Sequence, residues 1–166
     1  MRINQKTVLL SAFAGFMVSA LLLGSAGLFP MAEITPDGRA VLLAKALLVL
    51  GLCLAFCIGR MATHRFLSPE DIDGDPHRSD SPKGVELQRI LQNTLEQAVL
   101  AAFAYTIWAA IAPLGILLFA PALFVLGRFL FIALHSRGAG GRAIGFALTF
   151  YPTVILILVE LAIVLT

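Results

Sequence analysis

The chain has 166 residues, of which 59% are apolar and only 13% are charged. A soluble domain carries about a quarter of its residues as charge, because its surface faces water, so this composition excludes a soluble globular domain and a disordered chain. Two cysteines and a net charge of +2 also exclude a disulfide scaffold and a nucleic-acid-binding protein.

The first apolar stretch covers residues 7–29 and is followed by Pro30. A helix needs about 20 apolar residues to cross the hydrocarbon core, so this stretch is predicted to span the membrane. The alternative is a signal peptide cleaved after small residues at 24–26, although the run exceeds the roughly 7 to 15 residues typical of one. Ser11, Gly15 and Ser19 form a stripe of small residues on this helix. The stripe suits close packing against another helix, although chance would explain it as well.

Four further spans are predicted. Residues 40–59 form one, interrupted only by Lys45, and residues 143–165 form the last, with a kink at Pro152. Residues 87–134 are too many for one crossing and must form two, joined by a turn at residues 112–115, which include Pro113 and Gly115. The runs lack the alternation of barrel strands, so the sequence predicts an all-α integral membrane protein, with one helix in residues 1–38 and a four-helix membrane domain in residues 39–166.

The basic residues near the span ends fall on one side of the predicted bundle, and Arg39 stands alone on the other. The positive-inside rule makes the basic side cytoplasmic, so we expect a multi-pass protein with its N-terminus and the 60–86 loop in the cytoplasm, in the inner membrane if the source is bacterial. Three loop aspartates, at positions 71, 73 and 75, are spaced as in a calcium loop. Prolines stand where that loop needs glycine and glutamate, so we expect a solvated loop and no metal site.

Polar side chains cluster at the predicted inner end of the third span. Ionisable residues inside a span cost about 2.5 to 3.5 kcal/mol each, so each needs a partner or a function. Helical periodicity places Arg89, Asn93 and Glu96 on one face, with Gln92 at its border.

The fourth span carries Arg128, Phe131 and His135 on one face. Arg128 and Glu96 lie at a similar depth, about 10 Å from the inner ends of their helices, so we expect them to form an ion pair. By the same argument on the outer side, Lys45 and Glu160 are expected to form a structural pair.

The inner cluster has more guanidinium than carboxylate charge. Residues that only hold helices together would carry balanced positive and negative charges. This purely structural role is the alternative interpretation of the cluster. A surplus of arginine favours a site for an anionic ligand, and Glu96 would hold an ammonium group. The predicted ligand is a small zwitterion with excess negative charge.

The spacing of Arg89, Asn93 and Glu96, followed by Arg128 and by Arg142 after a glycine-rich stretch, resembles the membrane-associated proteins in eicosanoid and glutathione metabolism, the MAPEG family. The resemblance covers roughly residues 40–166. It implies a four-helix membrane bundle that assembles as a homotrimer and binds glutathione as co-substrate between subunits, with no metal. The helix before residue 39 departs from the family pattern.

By the same resemblance, Arg142 is the candidate catalytic residue, which stabilises the glutathione thiolate. The candidate glutathione-binding residues are Arg89, Gln92, Asn93, Glu96, Arg128 and His135, with either Arg60 or Arg65. Family tyrosines that contact glutathione are replaced by Gln97, Phe131 and His135. Cys53 and Cys57 are interpreted as packing residues.

The implied function is conjugation of glutathione to lipophilic electrophiles or reduction of lipid hydroperoxides. The alternative is a non-catalytic membrane protein of the same fold that binds a lipid or a partner protein, which the tyrosine replacements favour.

Overall fold

The computed structural model describes residues 3–26, 35–73 and 81–166, and within them the chain forms five long helices. Their bounds are α1 Ile3–Ala26, α2 Pro36–Leu67, α3 Pro82–Ile111, α4 Ile116–Ala133 and α5 Gly138–Leu165. All five are long and apolar enough to cross a membrane, which confirms the predicted all-α membrane architecture. The predicted turn at residues 112–115 is also confirmed, because α3 ends at Ile111 and α4 begins at Ile116.

The helices extend beyond their apolar stretches, so the 60–86 connection is shorter than predicted. Residues 60–67 complete α2, and residues 82–86 form the first turn of α3. Ser81 caps α3, because its hydroxyl accepts a hydrogen bond from the Gly84 N–H and Pro82 occupies the first helical position. Hydropathy alone missed these turns because polar helix ends leave no apolar signal.

The expectation of a solvated acidic loop is wrong for Asp71. This residue is buried and accepts hydrogen bonds from the Ser81 N–H at 2.9 Å and the Ser81 hydroxyl at 2.5 Å. His64 Nε2 lies 2.8 Å from the same carboxylate. The bonds from Ser81 first, and then His64, lower the pKa of Asp71 to about 2. Asp71 therefore ties the end of α2 to the start of α3. Asp75 lies outside the described residues.

Four of the helices form a bundle in which α2 packs on α3 and α4, and α5 packs on the same two helices. Helices α2 and α5 therefore stand diagonally across the bundle, and the predicted pair between Lys45 and Glu160 is wrong. Lys45 is exposed on α2, whereas Glu160 is buried and neither of its carboxylate oxygens has a hydrogen-bond partner among the described residues. Similar depth along two helices is not sufficient for contact.

Helix α1 lies outside this bundle and packs along α5, with a smaller contact to α4. The close approach depends on Gly15, because a Cβ built there would lie 2.3 Å from the Ala147 Cβ. The predicted small-residue stripe is thus a packing face, on which Ser19 is fully buried and donates to the Gly15 carbonyl.

Helices α4 and α5 come together through Gly127 and Gly145. A Cβ on Gly145 would lie 2.3 Å from the backbone nitrogen of Phe131, so only glycine allows this spacing. The chain reverses between these helices through one 3-10 turn at His135–Arg137, followed by Gly138 with φ of 79°. Helix α5 begins earlier than the predicted last span at residues 143–165, because the glycine-rich residues 138–141 form its first turn.

Candidate functional site

A cavity of about 520 Å³ opens at the end of the bundle where α3 and α5 begin, which we call the basic end. Its walls come from α1, α3, α4 and α5. The predicted site residues that line it are Arg89, Asn93, His135 and Arg142. Three separate helical segments therefore bring four of the predicted residues to one place.

The α3 wall of the cavity is formed by Arg89 and Asn93, which lie one turn apart on the same face. Arg89 is exposed and Asn93 is half-buried. The Asn93 side-chain oxygen accepts a 2.8 Å hydrogen bond from Arg128 Nη1, which fixes the orientation of the amide. The amide nitrogen of Asn93 is thereby left to donate to a ligand.

Arg128 does not line this cavity but lies behind it, with only 2% of its surface exposed. Besides Asn93, it donates from Nη2 to the Thr149 hydroxyl at 2.6 Å. Its guanidinium also lies 4.6 Å from the centre of the Phe131 ring. Arg128 therefore acts on the cavity through Asn93.

The predicted ion pair between Glu96 and Arg128 is wrong. Glu96 is exposed and accepts a 2.9 Å hydrogen bond from Gln92 Nε2, and neither residue lines the cavity. Three steps of 100° per residue leave Glu96 about 60° from Asn93 around the helix axis, so Glu96 is exposed while Asn93 stays half-buried against the bundle. At this depth, Arg128 instead donates a hydrogen bond to the neutral side-chain amide of Asn93.

The 3-10 turn and the α5 wall meet at His135 and Arg142. Arg142 Nη1 lies 3.5 Å from His135 Nε2, a long hydrogen bond in which the guanidinium donates to the imidazole. The His135 ring is buried, and Phe131 contacts it edge-on with centroids 5.2 Å apart. Its Nδ1 has no hydrogen-bond partner among the described residues. Two members of this wall, Phe131 and His135, are residues that the family resemblance interprets as tyrosine replacements.

The two alternative arginines of α2 lie away from the cavity. Arg60 lines a separate open groove between the end of α2 and the start of α3, together with His64 and Lys83. Arg65 lies in the last turn of α2 and lines neither space. Gln97, the third tyrosine replacement, is buried and does not line the cavity. Within one chain, neither arginine is placed to contact a ligand in the cavity.

The charge of the cavity is one-sided. Arg89 and Arg142 bring two guanidinium groups to its surface, and no carboxylate occurs among the described residues that line it. A cavity with this lining favours an anion that can accept bidentate hydrogen bonds.

Sequence reasoning missed two contributors to the cavity. Val8 and Ala12 of α1 form one wall, although α1 was assigned to a separate segment. Tyr151 of α5 lines the cavity as well and contacts Phe16 of α1 edge-on, with ring centroids 5.6 Å apart. The small-residue stripe of α1 indicated close packing, but it could not name α5 as the partner.

A family model for the MAPEG family matches residues 40–162, which include α3, α4, and nearly all of α2 and α5. The chain belongs to the MAPEG family. Helix α1 lies before the matched region, so a wall of the cavity in this MAPEG protein comes from outside the family domain. No curated protein and no solved structure matches the chain significantly.

Proposed function

We propose that this MAPEG protein binds glutathione in the cavity at the basic end and conjugates it through its sulfur to lipophilic electrophiles or uses it to reduce lipid hydroperoxides. The observation that carries this proposal is the convergence of Arg89, Asn93 and Arg142 on one cavity with no opposing carboxylate among its described lining residues. Family membership supports the broader assignment to glutathione or eicosanoid metabolism.

Glutathione has two carboxylates and one ammonium group, and the cavity offers two guanidinium groups. We assign Arg89 to a carboxylate and the Asn93 amide to the peptide backbone of the ligand. Arg128 is a positioning residue, because its bond to Asn93 holds that amide in place.

Arg142 is assigned to the thiol. A thiol with a pKa near 8.5 is largely protonated at neutral pH, and an adjacent guanidinium favours the thiolate that attacks electrophiles. The 3.5 Å contact with His135 restricts the rotation of the Arg142 side chain, so its charge stays at the cavity.

We propose that the chain forms a homotrimer in which polar residues outside the cavity face a neighbouring subunit. Glu96 and Gln92 are exposed on α3, and Arg60 lies in a groove on the α2 and α3 surface. We assign these polar groups to ligand contacts with a neighbouring subunit, where Glu96 would hold the glutamyl ammonium. This arrangement retains the family role of Glu96 without requiring a contact with Arg128 in the same chain.

The second candidate is a non-catalytic protein that binds a lipid or a partner with this fold. The observation that favours it is the presence of Phe131 in the cavity wall, where the family places a hydroxyl that contacts glutathione. Tyr151 supplies a hydroxyl from α5 and offsets this loss only in part.

Turnover separates the two candidates. Purified protein in detergent should conjugate glutathione to 1-chloro-2,4-dinitrobenzene, and Arg142→Ala should lower kcat/KM by at least 100-fold. Arg137→Ala is the matched control, because Arg137 is exposed at the same end and does not line the cavity. Absence of turnover in wild type with this substrate and with cumene hydroperoxide would favour the non-catalytic candidate.

A further inference from the structure

The contact between Arg142 and His135 fixes where the proton of the imidazole lies. A guanidinium has N–H donors and no acceptor, so His135 Nε2, which lies 3.5 Å from Arg142 Nη1, is the acceptor of this bond. The ring proton of the neutral imidazole is therefore on Nδ1. A basic lone pair of His135 thus lies beside the guanidinium that we assign to the thiol of glutathione.

The His135 ring is constrained in this orientation. It is buried, with 7% of its surface exposed, and the edge-on contact with Phe131 holds it on another side. Its Nδ1 has no hydrogen-bond partner among the described residues. A buried polar atom without a partner is uncommon in folded proteins and points to a functional role. Among the hydrogen bonds of the described residues, the imidazole engages the site only through Nε2.

The charges that act on this imidazole are mostly positive. Arg142 on α5, together with Arg89 and Lys83 on α3, opposes a further positive charge on the ring, and Glu86 on α3 favours one. Glu86 also pairs with Lys83 at 2.8 Å, which leaves the two guanidinium groups uncompensated. The ring can therefore accept a proton most readily when an anion enters the cavity with it. Bound glutathione would bring carboxylates and, after ionisation, a thiolate.

We propose that His135 is a catalytic residue, the general base that takes the thiol proton of glutathione while Arg142 stabilises the thiolate. This role rests on the proposed function and adds a proton acceptor to it. A sulfur atom in contact with Arg142 Nη1 can also contact His135 Nε2, because the two nitrogen atoms are 3.5 Å apart. In this step the S–H bond breaks, its electron pair stays on sulfur, and an N–H bond forms at Nε2. Protonated Nε2 no longer accepts from Arg142, so the guanidinium is released to donate to the thiolate.

The same proton serves the reduction of a hydroperoxide. The thiolate attacks the terminal peroxide oxygen, the O–O bond breaks, and its electron pair leaves on the alkoxide, which takes the proton from His135 Nε2. The sulfur is oxidised to a sulfenic acid, and the peroxide is reduced to an alcohol. In conjugation with an aryl chloride, chloride leaves without a proton, and His135 loses its proton to water.

The alternative role for His135 is to hold Arg142 in position. His135→Gln separates the two roles, because the glutamine oxygen can still accept from Arg142 whereas the amide takes up no proton near neutral pH. Ser136→Ala is the matched control, since Ser136 lies in the same 3-10 turn, is exposed and does not line the cavity.

The pH dependence of 1-chloro-2,4-dinitrobenzene conjugation, measured on the full chain in detergent at saturating glutathione, tests the proposal. At about pH 6.5, His135→Gln should lower kcat/KM by at least about tenfold, because general-base catalysis contributes about 100- to 10,000-fold. At about pH 9, the loss should shrink to less than about threefold, because a thiol with a pKa near 8.5 ionises there without a base. Ser136→Ala should follow wild type at every pH. If His135→Gln keeps the wild-type profile, or loses the same factor at every pH, His135 is not the base.

The fate of the thiol proton gives a second readout, in stopped-flow mixing with glutathione and a pH-indicator dye at about pH 6.5, where free glutathione is protonated. In wild type, the ultraviolet absorbance of the thiolate should appear with little release of protons, because the proton stays on His135. Any thiolate formed in His135→Gln should release one proton to the dye. Release of one proton per thiolate in wild type would overturn the proposal.

Failure of the proposed function gives a different result. Wild type would then show neither thiolate nor turnover at any pH, and the role of His135 would fall with it. Turnover with a wild-type pH profile in His135→Gln would leave the glutathione function in place and remove only the base. Imidazole in the buffer should restore part of the activity of His135→Ala but not of Arg142→Ala, and equal failure of rescue in both variants would also count against the base.

Discussion

Arg128 Nη1 donates a 2.8 Å hydrogen bond to Asn93 Oδ1, and this bond joins two helices, α3 and α4, in the wall of the candidate site. A buried guanidinium thus positions a neutral amide that faces the cavity. Through this bond, Arg128 is expected to affect ligand binding although it lies outside the cavity.

Arg128→Met should weaken glutathione binding without unfolding the protein. The Asn93 amide loses its fixed orientation, and a charge-assisted bond contributes about 1.5 to 3 kcal/mol, so the KM for glutathione should rise about tenfold or more. Removal of a buried cation that lacks a carboxylate partner among the described residues should leave Tm unchanged or higher. Thr149→Val removes the other acceptor and should raise KM less. An unchanged KM in Arg128→Met would show that the bond does not position Asn93.

Ala12→Phe should block the cavity from the α1 side. Ala12 lines the cavity, so a benzyl group there occupies space that the ligand needs. We expect binding of glutathione, measured by calorimetry in detergent, to weaken at least tenfold. Leu10→Phe, at a position 69% exposed and outside the cavity, is the control and should bind as wild type does. If both variants bind normally, α1 does not form a wall of the working site.

Glu160→Met should stabilise the protein. The carboxylate is buried with no hydrogen-bond partner among the described residues, and a buried polar group in that state costs about 1 to 3 kcal/mol. Thermal unfolding in detergent should show a higher Tm for Glu160→Met, and Lys45→Met at an exposed position should change Tm little. A large fall in Tm for both variants would indicate that Lys45 and Glu160 form an ion pair after all.

Gly145→Ala should destabilise the α4–α5 contact. The new methyl would meet the Phe131 backbone nitrogen at 2.3 Å, and overpacking of this kind costs about 1 to 3 kcal/mol. Gly51→Ala is the matched control, because no heavy atom lies within 4 Å of a Cβ at that position of α2. It should be neutral or stabilising by about 0.5 to 1 kcal/mol, since alanine favours helix. Equal Tm values for the two variants would contradict the packing described.

Asp71 should make the protein sensitive to acid. Its pKa in the folded state is about 2, below the usual 3.8, because Ser81 and His64 bond to the carboxylate. This contribution to stability is full above pH 3.8 and is lost as the pH falls through about 2. Tm measured from pH 5 to pH 2 should fall less steeply in Asp71→Asn than in wild type, and Asp73→Asn, at an exposed position, should follow wild type. If Tm fell equally with pH in Asp71→Asn and wild type, Asp71 would not be a source of the acid sensitivity.

Much of the fold could be predicted because its signals are local. Apolar length set the number of spans, and Pro113 with Gly115 marked the turn between α3 and α4. The polar ends of α2 and α3 were missed, since Ser81 and Asp71 stabilise them through hydrogen bonds that hydropathy does not register.

The sequence predicted which residues gather at the candidate site but not which of them contact each other. Depth along a helix correctly grouped Arg89, Asn93 and Arg142 at one end. Rotation about the helix axis and the order of helices around the bundle decide which groups touch, and neither follows from depth. Glu96 therefore faces outward, and the diagonal position of α2 and α5 separates Lys45 from Glu160.

Thermal unfolding of the purified protein in detergent, with and without glutathione, tests the central claim most directly. Glutathione at about ten times its Kd should stabilise wild type by about 1.4 kcal/mol and raise its Tm accordingly. The rise should disappear in Arg142→Ala and Asn93→Ala and persist in Arg137→Ala. A wild-type Tm that glutathione leaves unchanged at millimolar concentration, or a rise that Arg142→Ala retains in full, would contradict the proposed glutathione site.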